Sequence, residues 1–276
     1  MTTAVSSVSK DDGLISSFWR HRSLILALTR RDIAGRYRGS MLGPLWSLLN
    51  PLLMLSVYTF VFTQVFGLRW SGSATSNKFE FSILLFAGLL VFSLFSECVV
   101  RAPGLIISNP NYVKKVVFPL QIFAWVSLGT ALFHFTVGVL VLLAATLIVS
   151  GTIPATALFL PLALLPFLLF CAGLTWFLSA LGVYLRDIGQ IVGVIVSALM
   201  FLSPVFFPSS AMPKAYQSLL LLNPLTFPIE QVRDVLVWGR TPDWMGLVVY
   251  SILCVTVASC GLWWFNRTRR GFADVI

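Results

Sequence analysis

The groups that could move protons or hold a metal are sparse in this chain. It has two histidines, His21 and His134, far apart in sequence, and ten acids spread over 276 residues. Inside apolar stretches, Glu97 and His134 stand out. A proton relay through a membrane places ionisable groups in series along its path. Glu97 instead precedes Arg101 by one helical turn, which predicts a local i,i+4 ion pair. His134, within "ALFHFTVG", reads as a hydrogen-bonded packing histidine. The four cysteines (Cys98, Cys171, Cys254 and Cys260) have no metal-ligand spacing and read as buried small apolar residues. There is no GxxxxGKS/T phosphate loop, and no nucleophile stands beside a base. No catalytic and no metal-binding residue is expected, so any energy-requiring work must draw on a partner.

The elements that position these groups are set by composition. Of the residues 58% are hydrophobic and 11% charged, with a mean hydropathy of +0.90. Soluble domains carry about 25% charged residues, so this chain reads as an all-α integral membrane protein. A crossing of the ~30 Å hydrocarbon core takes about 20 apolar residues. Six runs qualify: Leu42–Phe66, Phe81–Val100, Leu120–Val149, Ala157–Leu185, Ile188–Phe207 and Trp244–Phe265. This divides the chain into a segment 1–41 bearing an interfacial helix, a six-helix region 42–266 and a tail 267–276. The polar, basic start of the chain has no cleavable signal pattern.

Lys and Arg placement gives the expected orientation. With the N-terminus inside, the inner face holds Lys10, Arg20, Arg22, Arg30, Arg31, Arg36 and Arg38, then Arg101, Lys114, Lys115 and Arg186, then Arg267, Arg269 and Arg270. Both termini are then cytoplasmic. The net charge of +9 matches anionic headgroups of the inner leaflet and requires no nucleic acid.

Residues 1–12 read as disordered, and a helix is expected from Gly13 with Asp12 as its cap. Leu14, Phe18, Ile25 and Leu28 form an apolar stripe, with Arg20 and Arg31 opposite. The pattern favours a helix lying along the inner leaflet over a bare charged anchor. Asp32 interrupts the stripe, and Thr29–Asp32 has the form of a capping box, which predicts a break there. The loop of about 101–119 contains Asn109-Pro110. Its residues alone leave open whether Asn111–Val117 forms helical turns standing proud of the membrane or a plain connector. The loop of about 208–243 holds two apolar pieces, Tyr216–Leu222 and Ile229–Trp238, separated by Asn223-Pro224. Neither can cross a bilayer, so a re-entrant helical hairpin packed against protein or a wet cavity is expected. Phe, Trp and Tyr make up 14% of the chain, a level that ordinary helix packing and interfacial belts explain.

Four segments carry a family likeness. "RRDIAGRYRGSMLGPLWSLLNPLLMLSVYTFVF" resembles the approach to the first span of type-2 ABC exporter permeases, above all those that move O-antigen, capsule or teichoic-acid polysaccharides. "NPNYVKKVVFP" resembles that family's first cytoplasmic loop. "YLRDIGQIVGVIVSALMFLSPVFFP" and "LLLLNPLTFPIEQVRDVL" resemble its fifth span and outer hairpin. The resemblance implies a permease in the bacterial inner membrane that exports a lipid-linked polysaccharide, O-antigen in the first place. It would work as a homodimer with two copies of an ABC ATPase subunit, which would bind the ATP and Mg; the chain itself would hold no cofactor. Asn111, Tyr112, Val113, Lys114 and Lys115 would couple to that ATPase. Arg30, Arg31, Arg36 and Arg38 would attract a lipid-linked pyrophosphate, since guanidinium forks match phosphate oxygens. Trp46, Tyr58, Phe201, Phe206 and Phe207 would line the channel, and Asn223, Pro224 and Glu230 would belong to an outer gate. Rival readings are a type-2 exporter of a drug or lipid, a membrane enzyme acting on lipid-linked sugars, and a passive channel.

Gly39 and Gly43 then let the chain turn into the bilayer, and Pro44 suits the first turn of the span. Asn50-Pro51 should kink that span and free backbone groups, which suits a helix lining a pore. Pro51→Ala is therefore expected to reduce export more than membrane insertion. Surface polymer and membrane-inserted protein, measured side by side, check this; equal loss of both would contradict it.

Overall fold

The computed structural model describes residues 14–65, 78–114, 118–209, 212, 220 and 222–276. Regular structure among them is helical: α1 Leu14–Arg20, α2 Arg22–Arg36, α3 Trp46–Thr59, α4 Lys78–Arg101, α5 Pro110–Lys114, α6 Ile122–Ser150, α7 Leu160–Tyr184, α8 Ile188–Leu202, α9 Thr226–Arg233, α10 Trp244–Thr268 and α11 Phe272–Val275. All six apolar runs form helix. Five stretches are long and apolar enough to span a membrane: Gly43–Phe62, Phe79–Gly104, Ile122–Ser150, Ala155–Tyr184 and Trp244–Val275. The run at 188–207 is shorter than expected. α8 has 15 residues, about 22 Å at 1.5 Å per residue. It stops because Pro204 disfavours helical backbone at the residue before it, and Ser203 is extended at φ −94° and ψ 152°.

Pro44 lies in the opening 3-10 turn that leads into α3. Gly39 and Gly43 adopt φ of +85° and +51°, a region that glycine enters without a Cβ penalty. The chain thus turns from α2 into α3 where the glycines permit it. α2 itself runs unbroken through Thr29–Asp32, so the expected break is absent there; the interruption comes at His21, between α1 and α2. Asp32 does not cap. Its carboxylate faces the bundle and is taken by Arg101 and Thr130. Ile25 and Leu28 bury their side chains against Ile122 and Val126 of α6. Phe18 packs edge-on to Trp125 at 5.2 Å. The expected disorder, the Asp12 cap and the side chain of Leu14 lie outside the described residues.

α4 is the mast of the fold. Its residues from Phe81 to Phe92 are all buried, and α3, α6, α7, α8 and α9 pack around it. α7 and α10 lie backbone to backbone. A Cβ on Gly173 would come 2.7 Å from the Cα of Ala258, and one on Gly261 would strike the Gly173 carbonyl. Small residues of this kind allow close approach where lipid offers no hydrophobic drive. Cys98, Cys171 and Cys254 are buried as expected, whereas Cys260 is exposed on α10.

The hairpin arm expected at Ile229–Trp238 is α9 continuing into a π-turn over Asp234–Trp238. It is embedded in the bundle, with Ile229, Val232, Val235 and Leu236 each at most 1% exposed. Most of the other arm, at Tyr216–Leu222, lies outside the described residues. Arg233 fastens the arm. Its guanidinium donates to the carbonyls of Leu84 (2.9 Å), Pro204 (2.6 Å) and Val205 (2.8 Å), two of which follow the end of α8. Gly88 makes the room: a Cβ there would stand 2.7 Å from Arg233 Nη2.

Gly88→Ala is therefore expected to lower the melting temperature of the detergent-solubilised protein by on the order of 5 °C, because the guanidinium is pushed off its carbonyls. Arg233→Met should cost at least as much. In an Arg233→Met background, Gly88→Ala should cost little, since the space is no longer needed. Additive losses in a thermal-shift series would refute the link.

Candidate functional site

A cavity of about 480 Å³ opens between the end of α2 and the helices α3, α4 and α6. Along α4 it reaches from Glu97 to Phe86, and along α3 from Trp46 to Tyr58. At 1.5 Å per residue these stretches are about 16–18 Å long, roughly half of a ~30 Å hydrocarbon core. Its chemistry is graded. Arg36, Ser47, Glu97 and His134 stand at one end, and Asn50 and Ser93 in the middle. Tyr58, Phe86 and Leu90 close the other end. Asn50-Pro51 faces this space. Because proline has no N–H, the Ser47 carbonyl one turn earlier on the same helix receives no bond from Pro51.

The charged end is a network that joins four elements. Arg36 Nη2 pairs with Glu97 Oε1 at 2.6 Å. His134 Nδ1 lies 3.0 Å from Glu97 Oε2, and its Nε2 lies 3.0 Å from the Tyr37 hydroxyl. With Nδ1–H donating to the carboxylate, Nε2 accepts from Tyr37. The Ser47 hydroxyl lies beside that of Tyr37 and donates to the Pro44 carbonyl at 2.7 Å. Beside this, both terminal nitrogens of Arg101 reach Asp32 at 3.0 Å, and Thr130 donates to the same carboxylate at 2.9 Å. The local Glu97–Arg101 pair expected from spacing is present only at 4.0 Å. Glu97 turns to α2 and α6 because Arg36 and His134 offer shorter contacts, while Arg101 is committed to Asp32. His134 does pack through hydrogen bonds, as expected.

Burial raises the Asp32 pKa, but the Arg101 guanidinium and the Thr130 hydroxyl outweigh it and hold the carboxyl below its ordinary 3.8. A carboxyl with a depressed folded pKa stabilises above its unfolded value and loses that contribution as pH falls through the folded value. The Asp32 clamp on α2 is thus complete at neutral pH.

The four arginines singled out from the sequence separate. Arg36 enters the cavity. Arg31 donates to the Tyr112 hydroxyl at 3.1 Å, across to α5. Arg30 and Arg38 are exposed and form no ion pair among the described residues. Of the five aromatic candidates, Trp46 and Tyr58 line the cavity. Phe201, Phe206 and Phe207 do not; Phe206 stacks with Phe201 at 5.8 Å and sits 6.3 Å from Phe62. Asn111, Tyr112, Val113 and Lys114 form α5, with Tyr112 anchored against Phe118 at 4.6 Å, and Lys115 lies outside the described residues. Asn223 donates to the Ser203 hydroxyl (2.9 Å), and the Pro224 carbonyl accepts from Tyr250 (2.9 Å). Glu230 is half-buried on α9. The residues that sequence reasoning passed over are Tyr37, Asp32 and the Glu97–His134 pair. The available signal was two ionisable groups in separate apolar runs, each needing a partner that neither run supplies.

Known proteins resemble this chain over nearly all of its length. The profile of the ABC-2 type transporter family matches residues 23–237. An O-antigen export system permease protein, RfbA of Myxococcus xanthus, is 29% identical over 95% of this chain and 99% of its own. The polysialic acid transport protein KpsM of Escherichia coli is 28% identical over 92% of this chain and 96% of its own. The capsule polysaccharide export inner-membrane protein CtrC of Neisseria meningitidis is 30% identical over 79% and 82%.

The clamp can be tested apart from any activity. Asp32→Asn is expected to speed amide hydrogen exchange across Arg22–Arg36, because Arg101 then lacks its carboxylate. Arg30→Gln, which removes no described ion pair, should leave exchange there unchanged. Equal exchange in the Asp32 variant and the parent would contradict the clamp.

Proposed function

The chain belongs to the ABC-2 type transporter family, and we propose that it is the permease subunit through which a lipid-linked polysaccharide, O-antigen, crosses the bacterial inner membrane. ATP hydrolysis belongs to a separate subunit, present in two copies, which binds the ATP and Mg. The permease performs no chemistry on the cargo. One observation carries the reading. The span containing α3 buries none of its residues within the subunit, yet this helix supplies one wall of a cavity with a charged mouth and an aromatic end. A span that carries Asn50 and lacks a ladder bond at Pro51, with so much of its surface uncovered, is costly in lipid. A second copy of the chain and a passing glycan supply what it lacks.

In this arrangement both termini and the charged mouth face the cytoplasm. α2 rests on the inner leaflet, and α5 sits on the ATPase. Arg36 meets the pyrophosphate headgroup, with Arg30, Arg31 and Arg38 drawing it in from the membrane surface. Trp46 and Tyr58 offer aromatic faces to the sugars that follow. α8 is the sixth membrane helix and is completed in depth by the hairpin containing α9. Phe201 near its end, and Phe206 and Phe207 just beyond it, belong to the outer half. Asn223, Pro224 and Glu230 belong to the gate at that side. The full-length likeness to O-antigen and capsule permeases supports the cargo class.

Depletion of the protein in its host is expected to strip the glycan from the surface while the lipid-linked polymer accumulates on the cytoplasmic side. Arg36→Gln should reproduce the accumulation with the protein still inserted. A normal surface glycan after depletion would overturn the cargo assignment.

A further inference from the structure

Arg36 is the cation at the cavity mouth, but it is already engaged. Its 2.6 Å contact with Glu97 joins a side chain 37% exposed to one 15% exposed. An incoming anion can therefore reach the guanidinium, whereas the carboxylate cannot follow it out to water. If the anion takes Arg36, Glu97 is left as an uncompensated charge in a site of low dielectric, which strongly disfavours binding.

The charged and titratable groups around Glu97 offer one remedy. On α4, Arg101 is 4.0 Å away, but both its terminal nitrogens are held by Asp32 of α2. Tyr37, at the end of α2, is neutral. α3 contributes only uncharged side chains to the cavity. On α6, His134 places Nδ1 3.0 Å from Glu97 and presents Nε2 to the Tyr37 hydroxyl at 3.0 Å. Histidine is the side chain whose ordinary pKa, about 6.5, lets it gain a proton near neutrality. A proton arriving at Nε2 would have an acceptor waiting. The Tyr37 hydroxyl can turn its own hydrogen toward Ser47 and receive the new N–H, so both ring nitrogens donate. Arg36 Nη1 lies 3.3 Å from Nδ1. When Nδ1 carries its hydrogen, those two N–H groups face one another, and a charged ring repels the guanidinium further.

We propose that His134 is the charge-compensating residue of the entrance. Arg36 exchanges Glu97 for a phosphate oxygen of the cargo, and His134 takes up one proton from water to hold Glu97 in its place. This rests on the reading of Arg36 as the residue that meets the headgroup. The one bond formed is Nε2–H of His134, and the one broken is the O–H of the solvent donor. Before loading, Arg36 balances Glu97. After loading, Arg36 balances one of the two diphosphate charges and the imidazolium balances Glu97, so one proton enters with the headgroup. Loading therefore favours lower pH. Its affinity should weaken by up to about tenfold per pH unit over the range in which loading takes up that proton.

The test uses the permease in nanodiscs together with the proposed ATP-binding subunit. The probe is a short-chain prenyl diphospho-sugar, a diester with no proton of its own to exchange near neutrality. Titration calorimetry in two buffers of different ionisation enthalpy counts the protons taken up on binding. The parent protein is expected to take up about one proton per site, and its affinity should fall from about pH 6 to pH 8. His134→Gln should bind weakly, with no proton uptake and no pH slope. Glu97→Gln, which leaves no carboxylate to compensate, should bind at least as tightly as the parent and also without a pH slope. Binding by the parent without proton uptake, or unchanged uptake in His134→Gln, would overturn the proposal while leaving Arg36 as the headgroup residue. Absence of binding in both the parent and Glu97→Gln would instead refute the headgroup reading, and the proposal with it.

Discussion

Glu97 is a carboxylate on the central helix with only 15% of its side chain exposed, and the contacts that join α2, α4 and α6 at one end follow from satisfying it. A lone charge at that depth costs far more than any single packing contact returns. It is satisfied only because three other elements converge on it: α2 brings Arg36, α6 brings His134, and the turn after α2 brings Tyr37 to hold the imidazole. Asp32 and Arg101 repeat the logic one turn further along. The interfacial helix is therefore fixed to the bundle by ionic contacts as well as by its short apolar stripe.

The opposite end solves a similar problem with backbone. α8 stops short of a full crossing, and the chain beyond it exposes carbonyls where a helix would have used them. Arg233 collects two of these and a third from α4, and Gly88 leaves the space the guanidinium occupies. An arginine is suited to this because it presents five donors in a fixed planar fork. Both ends are thus organised around α4, the most buried of the helices long enough to span a membrane.

Between these ends, α3 stands apart. It carries Asn50-Pro51 and lines the cavity, yet leaves much of its surface uncovered. α8 has a single buried pair, Val192 and Val196, one turn apart. Both helices thus leave apolar surface that nothing within the subunit covers. The graded polarity of the cavity fits an amphipathic chain with an anionic head.

Much of this was legible in the sequence because lipid imposes harsh rules. Runs of about 20 apolar residues must become helices, glycines mark the turn into the first span, and Pro44 marks its start. The likeness of four segments to one transporter family fixed the class. Three features were not legible. Spacing paired Glu97 with Arg101, but the structure gives each a closer partner on another helix. The capping-box pattern at Thr29–Asp32 predicted a break, but Asp32 is the half-buried contact of an unbroken helix. Phe201, Phe206 and Phe207 were grouped with Trp46 and Tyr58, but only the latter two share the cavity. The reason is common to all three. Sequence patterns report neighbours one turn away along the chain, where interactions are weak and local. Which distant charge a buried carboxylate meets is decided only when helices far apart in sequence are brought into contact, as with Arg36, Glu97 and His134, and the cost of leaving that carboxylate alone then selects the arrangement.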